Sequence, residues 1–361
     1  MVLKHNGILW ATGRNNYGQL GDGSVIIKTN FVRVCIDVTA VAVGRHHSMV
    51  LKSDGSVWVA GSNQYGQLGD RSTTHKHHFV QVSTHAIALA AGDFHSMVLK
   101  ADGSVWATGR NNWDQLGAGS NETMSHFVKV STGVVAMAAG SFHSLVLKKD
   151  HSVWVTGYNA YGQLGDGSLT NKANYVQVCS DAKEIAAGGD HSMVLKTNGS
   201  VWDNGRVWAT GKNNYGQLGD GSTISKSSFV EVFNGVKAIA AGRLHSMVLK
   251  YDDTVWATGA NKSGQLGNGL EKEKETKYVP VFTDAIAIAA GGLHSMVLKY
   301  DDTVWSTGDN NHGQLGVGNR ADRRTYKKAF GTWTPHFCMI FTVIRVHFAP
   351  AHDGHIFWAT T

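Results

Sequence analysis

Residues 86–117 read AIALAAGDFHSMVLKADGSVWATGRNNWDQLG, and this stretch decides the fold. Six small or aliphatic residues open it, and Gly92 breaks the run. The chain resumes as His95-Ser96-Met97-Val98-Leu99-Lys100, turns at Ala101-Asp102-Gly103, and returns through Ser104-Val105-Trp106-Ala107-Thr108. An Asp-Gly pair between two such runs is a hairpin signal, because Gly takes the positive φ that a tight turn needs. Neither helical spacing of apolar residues nor a helical cap occurs here. With Phe79-Val80-Gln81-Val82 before it, the segment predicts four short strands in the order 79–82, 86–91, 95–100 and 104–108.

The stretch is one copy of many. Tryptophans at 10, 58, 106 and 154 stand 48 residues apart, Trp208 and Trp256 keep that spacing, and Trp305 comes one residue late. Each opens a phrase close to Trp-Ala-Thr-Gly-x-Asn-x-Tyr-Gly-Gln-Leu-Gly. From the second copy onward each is preceded by Ala-Ala-Gly-x-x-His-Ser-Met-Val-Leu-Lys, whose histidines are His47, His95, His143, His191, His245 and His294. Four antiparallel strands repeated at this period make an all-β protein of propeller blades. The Ala-rich strand suits the crowded axis of the ring; Trp, Met and Leu suit the wider layers between blades.

Six full periods lie between Trp10 and Trp305, and Met1-Val2-Leu3-Lys4 matches Met49-Val50-Leu51-Lys52. Residues 1–12 are therefore expected to give strands three and four of a seventh blade, with strands one and two coming from within residues 326–348. Joining the two ends closes the ring and removes exposed sheet edges. The expected organisation is one seven-bladed propeller over residues 1–348. Residues 349–361, where 353–360 echo a fourth strand, form a loosely attached remnant. A six-residue duplication in 198–208 is even in length, so it keeps the same side chains facing inward.

Composition narrows the class. The 361 residues are 42% hydrophobic and 17% charged, which fits a globular chain, and 43 Gly against 3 Pro suits turn-rich sheet. The net charge of +6 admits an acidic protein or nucleic-acid partner without requiring one. Cys35, Cys179 and Cys338 form no CxxC pair, so neither a zinc site nor a disulfide framework is indicated. A reducing cytoplasmic or nuclear setting is expected. The N-terminus lacks the apolar core of a signal peptide, and the most apolar stretch, 337–348, is too short to span a bilayer as a helix. No membrane association is expected, and a monomer is.

Catalytic chemistry is not indicated. The six repeated histidines sit in different blades, too widely spread for shared metal ligands, and a local hydrogen-bonding role is expected for each. His-Ser neighbours such as His95-Ser96 point to opposite faces of a strand, so neither activates the other. Phosphate loops, dinucleotide fingerprints and zinc-protease motifs do not occur, and no cofactor is expected. Function is expected instead in loops. The Gly-x-x-His and Gly-Gln-Leu-Gly loops emerge on one face of the ring, and the Asp-Gly turns on the other. At the Gly-x-x-His tips the varying residues Arg45, His46, Asp93, Phe94, Phe142, Asp190, Arg243, Leu244 and Leu293 mix charge with apolar groups expected to be exposed. Aromatic and arginine side chains are the usual anchors of protein interfaces. A second candidate is the basic run Arg320, Arg323, Arg324, Lys327 and Lys328, read as a charged loop beside the last blade that could meet an acidic protein or a phosphate backbone.

The phrases Gly-Gln-Leu-Gly and Ala-Ala-Gly-x-x-His-Ser resemble the regulator of chromosome condensation repeat family over residues 1 to about 320. The resemblance implies a seven-bladed ring closed end to end, and protein binding through loops on one face. Its founding member is a nucleotide exchange factor for the small GTPase Ran and is bound to chromatin. A protein partner is therefore expected, with a small GTPase as its class. The alternatives are a chromatin or nucleic-acid partner, and an adaptor role of the kind found in the ubiquitin pathway. The family's ultraviolet receptor places tryptophans in the Gly-x-x-His slots. Here those slots hold Arg45-His46, Asp93-Phe94, Ser141-Phe142, Gly189-Asp190, Arg243-Leu244 and Gly292-Leu293, which does not support photoreception.

Overall fold

The hairpin in the decisive stretch forms as its residues dictate. Gly103 has φ +76°, and the Asp102 carboxylate accepts from the Ser104 amide at 2.9 Å and its hydroxyl at 2.6 Å. Val98 then faces Trp106, and His95 faces Gly109. The Trp106 indole donates to Ser104 Oγ at 3.0 Å and carries the Lys100 ammonium 4.8 Å from its ring centre. This Lys-on-Trp stack recurs in other blades and covers a half-buried indole with a flexible aliphatic stem.

The structure, a computed structural model, describes residues 1–197, 205–330 and 339–340. Its strands form seven antiparallel sheets of four, the blades of a closed ring. Among the described residues there is no helix, hence none long and apolar enough to cross a membrane. Blade 1 holds the N-terminus, and blades 2 to 7 begin their second strands with His47, His95, His143, His191, His245 and His294. Blade 3 runs from the inner strand Ala86–Ala91 through His95–Lys100 and Val105–Gly109 to the outer strand Met124–Ser131. Ala88, Ala90, Leu89, Met97, Leu99, Val105 and Ala107 are all buried, so the small-residue strand lies at the hub as expected.

The frame of the blade differs from the sequence expectation. The strand Lys76–Ser83, which contains residues 79–82, is the outermost of blade 2, paired with Val57–Gly61. It does not open blade 3. Blade 1 follows the same frame: it takes Val2–Lys4, Leu9–Gly13 and Lys28–Cys35 from the N-terminus and only its inner strand, Met339–Ile340, from the C-terminal segment. Leu3 pairs with Ile340, and Lys4 with Met339. The closing division is thus three strands and one, not two and two. Tyr326 belongs to Arg323–Phe330, the outer strand of blade 7. The duplication leaves the register intact, since Val194 faces Trp208 as Val98 faces Trp106. Its residues 198–204, Cys338 and the segment 349–361 lie outside the described residues.

Both repeated phrases act between blades. Ser96 of blade 3 donates to the Gln67 carbonyl of blade 2 at 2.7 Å. Thr108 Oγ1 lies 3.0 Å from the Gly66 carbonyl of blade 2 and 2.8 Å from Met124 O of its own outer strand. A Cβ on Gly69 would sit 2.5 Å from the Phe127 ring of blade 3. The Gly-Gln-Leu-Gly loop of each blade is therefore gripped by the next. Blade 7 is gripped by blade 1 in the same way, with Thr12 Oγ1 at 2.9 Å from the Gly313 carbonyl and the Gly318 amide donating to Thr29 O at 3.0 Å.

Candidate protein-docking face

In blades 2 to 7 the chain leaves the inner strand through the Gly-x-x-His loop, and in all seven it leaves the third strand through the loop that carries Gln-Leu-Gly. The two strands run the same way, so both loops share one face, as the sequence predicts. The framework residues of these loops are spent internally. Asn63 donates to Asp70 Oδ1 at 2.9 Å and accepts from the Leu68 amide at 2.9 Å, while Gln67 Oε1 accepts from the Tyr65 amide at 3.0 Å.

The first variable residue after each repeated glycine points to the axis. Arg45, Asp93, Ser141, Gly189, Arg243 and Gly292 line one cavity of about 410 Å³, to which six blades contribute Gly-x-x-His loops. Arg45 Nη1 and Asp93 Oδ2 are 4.0 Å apart. Burial pushes the Asp93 carboxyl up, against the downward pull of Arg243, Arg45 and a hydrogen bond from Ser141. The second variable residue in blades 2 to 5 packs against a third-strand loop. His46 meets the Tyr17 ring at 5.2 Å and lies near Arg14. Burial, then Arg14, Arg45 and His312, hold its imidazole down to about 4, so it is neutral at physiological pH.

Phe94, Phe142 and Asp190 continue this outer circle. Phe94 is only 9% exposed, which corrects the expectation of an exposed apolar tip. It stacks on Phe142 at 5.9 Å and forms the floor of a platform. The Arg110 guanidinium lies 5.1 Å from the Tyr65 ring, 5.7 Å from Phe94 and 5.5 Å from Phe142. Tyr158 closes the far side, 5.1 Å from Trp113, which is 40% exposed. Asp190 pairs with Lys212 at 3.2 Å, and that ammonium sits 4.3 Å from the Tyr161 ring. Leu244 and Leu293 are half-buried and Arg243 is exposed. Asp93 and Phe94 thus form one surface with Arg45, Phe142 and Asp190, whereas Leu244 and Leu293 stand on the opposite arc.

Sequence reasoning missed Arg14, Arg110, Tyr158 and Lys212, which follow the Thr-Gly of the third strand, and Trp113, at the loop tip. The signal was present: these slots also vary while the phrase around them repeats.

The basic run is not a loop. Arg323–Phe330 is a strand, with Arg324, Lys327 and Lys328 exposed and Arg323 half-buried at the slot where Lys76 of blade 2 pairs with Asp70 at 3.1 Å. Arg320 is exposed in the loop before it. The repeated histidines do have a local hydrogen-bonding role, but across blades: His95 Nε2 meets Ser144 Oγ of blade 4 at 2.9 Å, not its neighbour Ser96.

Comparison with known proteins agrees with this architecture. A model of the regulator of chromosome condensation (RCC1) repeat matches residues 6–51, 102–147, 150–195, 204–249 and 252–298, more than half of the chain. A second model of the repeat matches 38–67, 86–112, 134–163, 236–265 and 285–314. No curated protein matches the sequence. Among solved structures, yeast RCC1 (Prp20), in a structure with Kap60 bound, superposes with a TM-score of 0.82 at 19% identity over 92% of this chain and 86% of that one. Prp20p from Saccharomyces cerevisiae, in a report on its binding properties to Gsp1p and histones, gives 0.80 at 21% identity over 92% and 88%. Human WBSCR16 gives 0.80 at 20% identity over 90% and 94%. These identities speak to fold, and the repeat matches speak to kinship: the chain belongs to the regulator of chromosome condensation (RCC1) repeat family.

Proposed function

We propose that this is an interaction propeller that docks a protein partner on the face carrying the Gly-x-x-His and Gly-Gln-Leu-Gly loops, and that the partner is a small GTPase whose nucleotide release it accelerates. The observation that carries this reading is the platform of Tyr65, Phe94, Arg110, Phe142, Trp113 and Tyr158. It is a contiguous aromatic surface with an embedded guanidinium, on loops whose framework bonds do not depend on it. Such groups lose little side-chain entropy on binding and supply most interface energy. Membership of the family supports the partner class, as does the likeness in fold to Prp20p, whose report concerns binding to Gsp1p and histones. Exchange needs no catalytic side chain, because a factor that binds the nucleotide-free state better shifts the partner toward it.

The test is nucleotide release from a Ran-type GTPase measured with and without the full chain. Acceleration is expected, with Trp113→Ala and Tyr158→Ala each weakening capture by about tenfold at unchanged melting temperature. A second reading, chromatin association, is favoured by the exposed cations Arg324, Lys327 and Lys328 on the outer strand of blade 7 and Arg320 in the loop before it. Absence of release, together with salt-sensitive retention on nucleosomes or DNA, would replace the first reading with the second.

A further inference from the structure

The axial cavity holds chemistry that the platform does not use. Arg14 of blade 1, Arg45 of blade 2 and Arg243 of blade 6 converge on it. Two acids share the lining, Asp93 and Asp309. Asp93 is engaged by Arg45 and Ser141 and feels the charge of Arg243 at longer range, and Asp309 accepts from the Gln314 amide. Neither Arg14 nor Arg243 has an ion-pair partner within 4.0 Å among the described residues. Arg14 Nε and His46 Nδ1 are shut off from solvent with no hydrogen-bond partner. A buried N–H left unsatisfied, as at Arg14 Nε, is costly unless something else meets it.

The lining is preorganised. The Ser141 amide donates to Gly189 O at 3.2 Å, the Gly189 amide to Gly242 O at 3.3 Å, and the Arg243 amide to Gly292 O at 3.3 Å, tying four successive loops together around the axis. Gly189 and Gly292 stand in slots where other blades carry side chains, and a Cβ on Gly292 would meet nothing within 4 Å, so this side of the cavity is open. A volume of about 410 Å³ suits a small molecule. Converging guanidiniums offer paired N–H donors to oxyanions, and their mutual repulsion is relieved when an anion enters.

We propose that the axial cavity binds a small anion carrying phosphate or carboxylate groups, with Arg14, Arg45 and Arg243 as its principal ligands. The site needs no protein partner, so it stands or falls separately from the docking face.

Calorimetric titration of the full chain with inorganic phosphate and with citrate, at constant ionic strength, tests it. Saturable one-to-one binding of at least one of them is expected. Arg14→Gln and Arg243→Gln should each weaken it by about tenfold, while Arg206→Gln, at a surface pair with Glu231, leaves it unchanged. Thermal melting of each variant separates lost binding from lost fold. The proposal is overturned if neither anion binds up to about 10 mM, a range that would still detect millimolar affinity. It is equally overturned if binding survives in the folded Arg14→Gln/Arg243→Gln double variant. Binding of an acidic peptide but of neither small anion would assign the cavity to a partner's side chain and remove the small-ligand reading.

Discussion

His95 shows how a residue that invites a metal or catalytic reading is consumed by architecture. Ser144 gives its only proton to the Gln115 carbonyl at 2.7 Å, so the 2.9 Å contact with His95 requires that His95 Nε2 donate. Nδ1 is then unprotonated and has no partner. A second proton there would have no acceptor in a fully buried site. The same chain runs through His47, His143, His191 and His245. Burial holds His47, His95, His191 and His245 down to about 3, and His143 and His294 to about 4. The unfolded histidines titrate near 6.5, so between about pH 4 and 6.5 the unfolded chain binds more protons than the folded one. This stabilisation is complete above the unfolded value and is lost as pH falls through that window. The urea midpoint should drop steeply from pH 7 to about 4.5, and a His95→Asn variant should show a shallower slope. A flat midpoint across the window would mean that these imidazoles are not the neutral donors described. The repeated histidines were plain in the sequence, but their partners were not, because the bonded serine lies 49 positions away in the next blade.

At the scale of the element, a long loop misled the reading of the blade. The outer strand Lys76–Ser83 is separated from its true neighbour Val57–Gly61 by residues 62–75, but from the inner strand of blade 3 by residues 84–85 alone. Nearness in sequence favours grouping it with blade 3. The hydrogen bonds group it with blade 2, because the intervening loop folds over to be gripped by the neighbour. That grip explains why Thr-Gly and Gly-Gln-Leu-Gly recur together. In blade 6, Thr258 Oγ1 lies 2.9 Å from both Gly216 O and Glu275 O, one proton shared between two carbonyls. Thr258→Val is nearly isosteric and should cost about 1–2 kcal/mol in chemical denaturation through the lost bond. A cost near zero would show that the clasp is not what holds adjacent blades. The same element logic moves four of the five cations of the basic run, Arg323, Arg324, Lys327 and Lys328, from a loop to a strand, where alternate side chains point to opposite faces and the four do not form one flat patch.

At the scale of the molecule, closure rests on two separate sets of contacts. The hydrogen-bonded pairing of Met339–Ile340 with Val2–Lys4 completes blade 1, and Thr12 and Thr29 bind the blade 7 loop independently. Removing residues 331–361 should leave the inner edge of blade 1 unpaired while the clasp remains. The expected result is a lower melting temperature and concentration-dependent association by size-exclusion chromatography, since an open strand edge recruits others. A truncated chain as stable and monodisperse as the full one would place closure entirely on the clasp.

The sequence by itself determined the period, the all-β class, the blade count, the shared face of two loops and the family, because each is a local pattern repeated until chance is excluded. Only the tertiary structure decided which strands share a sheet, where the ends divide blade 1, that Phe94 is floor and not tip, and that three arginines from three blades meet at the axis. Those facts depend on contacts between neighbouring or facing blades. A linear pattern records what each blade repeats; what the ring brings together across its hub is set by geometry that no single copy contains.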